Sequence, residues 1–294
     1  MAELLKGKEV AAAVNQHSLT KIEELKKHGI QPLAATLRVG EKSEDISYEK
    51  GVIKRCRELG VEVRQVVLPA DVEKDTFYRV LDELNSDDQV HGILLFRPLP
   101  KQLDNELARQ SIDPEKDIDG CTDASLAGIF TNSESGFAPC TAQAVMEILD
   151  YYGIEISGKN VTVLGRSLVI GKPVSMLMLN RNATVTICHT KTENTREKAR
   201  QADILICTTG KMEFVTAAYV REGQTVIDVG IAWNEDKQKL CGDCLFEEVE
   251  PVVSKITPVP GGVGAVTNAV MVSHVVEAAW RKYRKANLSA DPQQ

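Results

Sequence analysis

Residues 161–191 read VTVLGRSLVIGKPVSMLMLNRNATVTICHTK. The apolar run 161–164 meets Gly165, a short loop follows, and Gly171, Lys172 and Pro173 open an apolar segment of helical character. A second β-branched run occupies 183–188. This order predicts strand, turn, helix and a second parallel strand, with glycines where the chain approaches a ligand closely. The N-terminus of such a helix, with unpaired N–H groups and the positive end of its dipole, suits a pyrophosphate. The loop reads G-R-S-x-x-x-G rather than G-x-G-x-x-G, so as a pattern it also fits an ordinary βαβ unit with a glycine-containing turn.

The second strand bears on the cofactor. In NAD sites an acidic residue about 20 positions past the glycines accepts hydrogen bonds from the ribose. Here the region reads His189, Thr190, Lys191, with Arg166 in the loop itself. Arg, Thr and Lys without a carboxylate suit the extra 2′-phosphate of NADP. The alternative is that Arg166 and Lys191 are simply solvated.

The chain has 294 residues, 43% hydrophobic and 26% charged, enough for two modest globular domains. A net charge of −7 with scattered basic residues argues against nucleic acid as a partner. Charges interrupt the N-terminal apolar stretches, and no run approaches the ~20 apolar residues of a membrane span, so a cytoplasmic protein without membrane partners is expected. Seven scattered cysteines fit reduced thiols better than a disulfide framework. Cys241 and Cys244 have redox or zinc spacing but no second such pair, which leaves two thiols in a turn as the plainer reading.

Helix-like segments at 4–28, 47–59, 76–85 and 103–109 alternate with strand-like ones at 33–39, 61–68 and 92–96. Periodicity fades across 119–139, a candidate boundary. A helix at 141–152 leads into the quoted unit, and strands follow at 202–207 and 225–229. A glycine-rich loop, 256–264, precedes a last helix, 268–284. The expected fold is α/β, with two α/β domains and a cleft between them.

Five segments then coincide with one family: VLGRSLVIGKPVSMLMLNRNATVTICHTKT, PEKDIDG at 114–120, PCT at 139–141, DVGI at 228–231 and TPVPGGVG at 257–264. Together, in order and over almost the whole chain, they resemble the bacterial FolD family of bifunctional methylenetetrahydrofolate dehydrogenase/methenyltetrahydrofolate cyclohydrolases. The resemblance implies NADP-linked oxidation of 5,10-methylenetetrahydrofolate in one-carbon metabolism, then hydration to 10-formyltetrahydrofolate. It implies tetrahydrofolate derivatives as partners, a homodimer, an N-terminal folate-binding catalytic domain at 1–138 completed by the C-terminal helix 268–288, and a Rossmann-type NADP-binding domain at 139–267.

Carried over by position, Gly165, Arg166, Ser167 and Gly171 fall in the NADP loop, Thr190 near the 2′-phosphate and Ile231 beside the nicotinamide. Tyr48 and Asp119 take catalytic and substrate-binding positions, Asp119 being the carboxylate that holds the pterin. On its own, Asp119 before Gly120 also fits a simple turn. Pro260, Gly261, Gly262 and Gly264 resemble the folate-side loop, where side chains would block a flat ring.

Two departures stand out. The family pairs its Tyr with a Lys four residues later, and here Val52 stands in that place. Lys50 and Lys54 point roughly 160° and 120° away from Tyr48 on a helix. The family's Gln in G-x-L-V-Q-L-P-L-P, which bonds that Lys, is Phe96 in GILLFRPLP, followed by Arg97. The expectation is a surviving dehydrogenase and a weak or lost cyclohydrolase, unless Lys54 through a water, or Glu49, has taken over. Lys54, Arg55 and Arg57 either meet the glutamyl tail of folate or form a solvated face. Two other readings remain: a different two-domain NADP dehydrogenase, such as a shikimate-type enzyme, and a non-catalytic folate- or nucleotide-binding regulator.

Overall fold

Leu33–Val39 is buried along almost its whole length, as a strand covered on both faces must be. It is the centre of a three-stranded parallel sheet, flanked by Glu62–Leu68 and Gly92–Leu95. The intervening helices are Ser43–Leu59 and Lys74–Ser86. Gly60, at φ 79°, stops the first of them in the left-handed conformation that glycine adopts without strain. Phe77, Leu81 and Leu84 of the second pack on Leu37, Val39, Ile93 and Leu95.

The computed structural model describes residues 1–288 and divides into two compact units. One comprises 13–138 with the described residues from Asn268 onward, and holds this sheet. The other comprises Met1–Ala12 and Pro139–Thr267. Its sheet has six parallel strands in the order Glu3–Leu4, Lys255–Ile256, Thr225–Asp228, Ile204–Cys207, Asn160–Leu164, Thr184–Cys188. The first three strands after residue 139 thus run centre, edge, then the other side of centre. The order reverses beside Asn160–Leu164, the topological switch point of a doubly wound fold. Its core gathers Leu164, Leu205, Cys207, Val226 and Ile256.

Several expectations need correction. Residues 1–12, assigned to the N-terminal domain, belong with the second unit, because Glu3–Leu4 pairs with Lys255–Ile256. The helix expected from 4 therefore starts at Gly7. The stretch 119–139 contains a helix, Asp123–Thr131, with the Thr122 hydroxyl accepting the Ser125 N–H as an N-cap. The last helix begins at Val263, so Gly264 lies in its first turn. Among the described residues no helix is long and apolar enough to cross a membrane.

Gly92 lies against Ile118, whose Cγ2 would stand 2.4 Å from an added Cβ. Gly92→Ala is expected to destabilise the protein by about 1–3 kcal/mol through overpacking, read as a lowered midpoint of chemical denaturation.

Candidate active site

In the six-stranded unit, Asn160–Leu164, Thr184–Cys188 and Ile204–Cys207 end beside a cavity of about 440 Å³. Gly165, Arg166 and Ser167 line it after the first strand, His189 and Thr190 after the second, and Thr208, Thr209 and Lys211 after the third. The volume suits a small-molecule ligand, and the position is the one the strand order favours.

Gly165 is forced here. Its φ is 133°, and a Cβ would stand 2.2 Å from the Thr208 carbonyl oxygen. A Cβ on Gly171 would meet the Gly165 oxygen at 2.5 Å. Both glycines let backbone segments approach one another. The Ser167 hydroxyl accepts the N–H groups of Ile170 (3.2 Å) and Gly171 (3.5 Å), and its carbonyl accepts that of Lys172. Pro173 has no N–H. The unpaired donors expected at this helix start are therefore largely taken within the loop, and cationic and hydroxyl side chains line the cavity around it.

Those side chains are favourable. The lining carries Arg166 and Lys211 with hydroxyls of Thr190, Thr192, Thr195, Thr208 and Thr209, and no Asp or Glu. Thr190 is presented by a turn in which the His189 N–H donates to the Thr192 hydroxyl (2.9 Å) and the Lys191 N–H to His189 Nδ1 (3.2 Å). Lys191 itself is exposed and lies off the lining. Sequence reasoning missed Thr208, Thr209 and Lys211. The available signal was Thr-Thr-Gly directly after the buried run 204–207.

Two buried carboxylates fix the neighbouring loops. Asp228 accepts the N–H groups of Gly230 (3.1 Å), Asp243 (2.9 Å) and Cys244 (2.9 Å). Asp243 in turn accepts those of Thr209 and, at 3.2 Å, Gly210. Burial pushes the Asp228 carboxyl up to about 6, against the pull of its donated hydrogen bonds. Cys241 and Cys244 are buried free thiols in this arrangement, and no group that could hold a metal occurs among the described residues.

Ile231, Pro260, Gly261 and Gly262 do not line the cavity. Ile231 is 60% exposed beyond Asp228. Gly261, at φ 103°, donates no contact from an added Cβ and its carbonyl accepts the Gly7 N–H. A Cβ on Gly262 would stand 2.5 Å from the Pro258 oxygen, so its lack of side chain serves the loop itself.

The three-stranded unit brings the other candidates together. The Tyr48 ring meets Phe96 edge-on at 6.0 Å, and Arg97 Nη2 lies 3.9 Å from the Asp119 carboxylate. A parallel bridge from Ile93 to Asp117 lays the segment before Asp119 beside the strand Gly92–Leu95, which leads into Phe96. Asp117, with no exposed surface, accepts the Cys121 and Thr122 N–H groups and the Ser125 hydroxyl. His274 Nδ1 donates to the Ile118 carbonyl at 2.8 Å, and burial pushes that imidazole down to about 4. Val52 is 2% exposed. Lys50 and Lys54 face solvent, Lys54 within 3.9 Å of Glu58. Arg55 also pairs with Glu58, at 3.3 Å, and Arg57 is exposed. Glu49 is buried, with one oxygen on the Thr36 hydroxyl (2.7 Å) and the other on Arg38 Nε (3.1 Å).

Comparison with known proteins follows this geometry. Residues 5–119 match the sequence model of the tetrahydrofolate dehydrogenase/cyclohydrolase catalytic domain, and residues 139–283 that of the NAD(P)-binding domain of the same family. The bifunctional protein FolD of Clostridium kluyveri is 47% identical over 283 residues, 96% of this chain and 99% of that protein. The crystal structure of the Campylobacter jejuni bifunctional FolD aligns with a TM-score of 0.92 at 36% identity, over 96% of this chain and 100% of that one. The Trypanosoma brucei methylenetetrahydrofolate dehydrogenase-cyclohydrolase, solved with NADP cofactor and inhibitor, aligns with a TM-score of 0.88 at 32% identity, covering 96% and 99%.

The Asp243 tether makes a local prediction. Asp243→Ala leaves the Thr209 and Gly210 N–H groups without their acceptor, an expected loss of about 1–3 kcal/mol. Amide hydrogen exchange should quicken at 208–211 before it does so in the sheet.

Proposed function

The chain belongs to the tetrahydrofolate dehydrogenase/cyclohydrolase family, and we propose that it is an NADP-dependent 5,10-methylenetetrahydrofolate dehydrogenase with weak or absent cyclohydrolase activity. The observation that carries the reading is Val52: an apolar, buried side chain on the helix turn next to Tyr48, in the place of the family's lysine.

The cavity suits the adenosine end of NADP. Arg166 matches a phosphate with two parallel hydrogen bonds, Thr190 and Lys211 add donors, and no lining carboxylate opposes the charge. When bound, the nicotinamide supplies the hydride acceptor. Asp119 offers two carboxylate oxygens to adjacent N–H donors on the pterin edge. Tyr48, set against Phe96, offers an aromatic face for the flat part of the folate.

Oxidation removes a hydride from the methylene carbon and leaves a cation shared by two nitrogens. No proton leaves that carbon, so the residues contribute chiefly by holding the substrate in place. Hydration asks for more. A proton must leave the attacking water and another must reach a nitrogen as the adduct collapses, work worth ~10²–10⁴-fold when a side chain is placed for it. Val52 has no group for it. Glu49 is occupied by Thr36 and Arg38, Lys54 faces solvent, and a guanidinium, as at Arg97, offers donors and no acceptor for a proton from water.

One purified preparation tests the reading. NADP reduction with methylenetetrahydrofolate should be robust, whereas methenyltetrahydrofolate should decay at its uncatalysed rate. Enzyme-dependent decay comparable to the dehydrogenase would refute the lost-cyclohydrolase reading, and failure of both assays would favour a folate- or nucleotide-binding regulator. Val52→Lys is expected to raise the cyclohydrolase rate above background. Arg166→Ala should raise the KM for NADP about tenfold or more while leaving that for NAD within about twofold, as the loss of a charged hydrogen bond to one phosphate requires.

A further inference from the structure

Asp119 is unusually placed for a group that must accept two hydrogen bonds. Among the described residues no protein group donates to its carboxylate, and its side chain is 41% exposed. It follows Ile118, pinned by His274, and Asp117, pinned by its own three donors. Two charged groups bear on it electrostatically, Asp117 and Arg97. The Asp117 carboxylate repels its charge, and the Cys121 thiol, pushed up by burial, stays neutral beside it. Arg97 is the one cation paired with it among the described residues. Phe96, the residue before Arg97, is buried.

We infer that Arg97 is a positioning residue for the substrate: its guanidinium, 3.9 Å from Asp119, maintains that carboxyl as a double acceptor for the pterin edge. At 3.9 Å the pair is beyond hydrogen-bond range, so Arg97 supplies charge without occupying either oxygen. The inference rests on the reading of Asp119 as the pterin-binding carboxylate. It gives Arg97 a purpose that the family pattern, with Leu in that position, does not supply.

The sign of the effect follows from the balance of charges. Burial, then Asp117, push the Asp119 carboxyl up to about 6, with Arg97 opposing them and solvent at its open edge tempering the rise. Protonation removes one acceptor, so folate affinity is present above that value and lost as pH falls through it. Without Arg97 the loss moves to higher pH.

The test is the KM for methylenetetrahydrofolate at saturating NADP, from pH 5.5 to 8.5, in the full-length wild type, Arg97→Leu, Arg97→Lys and Asp119→Ala. In the wild type KM should rise below about pH 6. An upward move of about one pH unit in Arg97→Leu gives a KM about threefold above wild type at pH 6.5, about eightfold at pH 5.5 and little changed at pH 8.5. Arg97→Lys should restore most of the wild-type profile, and kcat should move less than KM in both variants. A KM raised equally at every pH, or an unshifted profile while Asp119→Ala weakens folate binding, overturns the role of Arg97 alone. An unchanged KM in Asp119→Ala overturns the underlying reading of Asp119, and the role of Arg97 with it.

Discussion

Buried carboxylates that accept loop N–H groups are the constraint on which both units depend. A parallel sheet delivers its strands to one edge, where the loops that follow must satisfy their own polar backbone groups. Asp117 does so for the turn before Asp123–Thr131, and Asp228 with Asp243 for the loops after Ile204–Cys207 and Thr225–Asp228. A carboxylate is the efficient choice, since charged acceptors bind more strongly than neutral ones and several N–H groups converge on its two oxygens. The neighbours pay in shape. A Cβ on Gly242 would stand 2.0 Å from an Asp228 oxygen, and one on Gly230 2.2 Å from an Asp243 oxygen. The glycines and aspartates of DVG and CGDC are thus one device, in which Cys241 and Cys244 flank Gly242 and Asp243.

The helix Ser43–Leu59 shows how Val52 and Phe96 fit the apolar interior of this unit. Its inward positions are Glu49, Val52, Ile53, Cys56 and Leu59. Val52 fits that stripe better than a lysine does, because a buried ammonium needs a partner. In the family pattern the Gln four residues into GILLFRPLP is that partner, and here it is Phe96, buried and in contact with Tyr48. Replacing both members of a polar pair by apolar groups leaves no donor or acceptor stranded, which is the inexpensive way to lose such a pair. Glu49 remains ionically tied to Arg38, on the neighbouring strand Leu33–Val39.

Much of this was legible in the sequence. The strand Gly92–Leu95 announced itself by an uninterrupted apolar run, Leu33–Val39 by a largely apolar one broken by Thr36 and Arg38, and the glycine loop at 165–171 by its place between strand and helix. What escaped was what depends on distant pairing. Glu3–Leu4 has too few residues for any periodicity and exists only because Lys255–Ile256 accepts it. The hairpin Ala232–Asn234 and Lys239–Cys241 is similarly short. At the site, Thr208, Thr209 and Lys211 are close to Arg166 only through strand order, which a linear reading does not supply. At the helix start the linear reading also missed a local pairing: Ser167 lines the cavity while its oxygens accept the first N–H groups of the helix.

Hydride transfer and hydration make unequal demands on the same folate site, and this inequality explains how one could persist without the other. The first asks for placement of a carbon that already carries the departing hydride, so orientation of the bound substrate towards the acceptor supplies much of the rate. The second asks in addition for a group that changes protonation during the reaction, and such a group cannot be replaced by tighter binding. Arg97 illustrates the difference. A guanidinium holds its proton throughout the accessible pH range, so it can tune Asp119 as an acceptor but cannot pass a proton to or from water. On the proposed reading, a site with Val52 in place of a titrating lysine and a permanent cation beside the pterin-binding carboxylate keeps the means of holding folate and gives up the means of hydrating it.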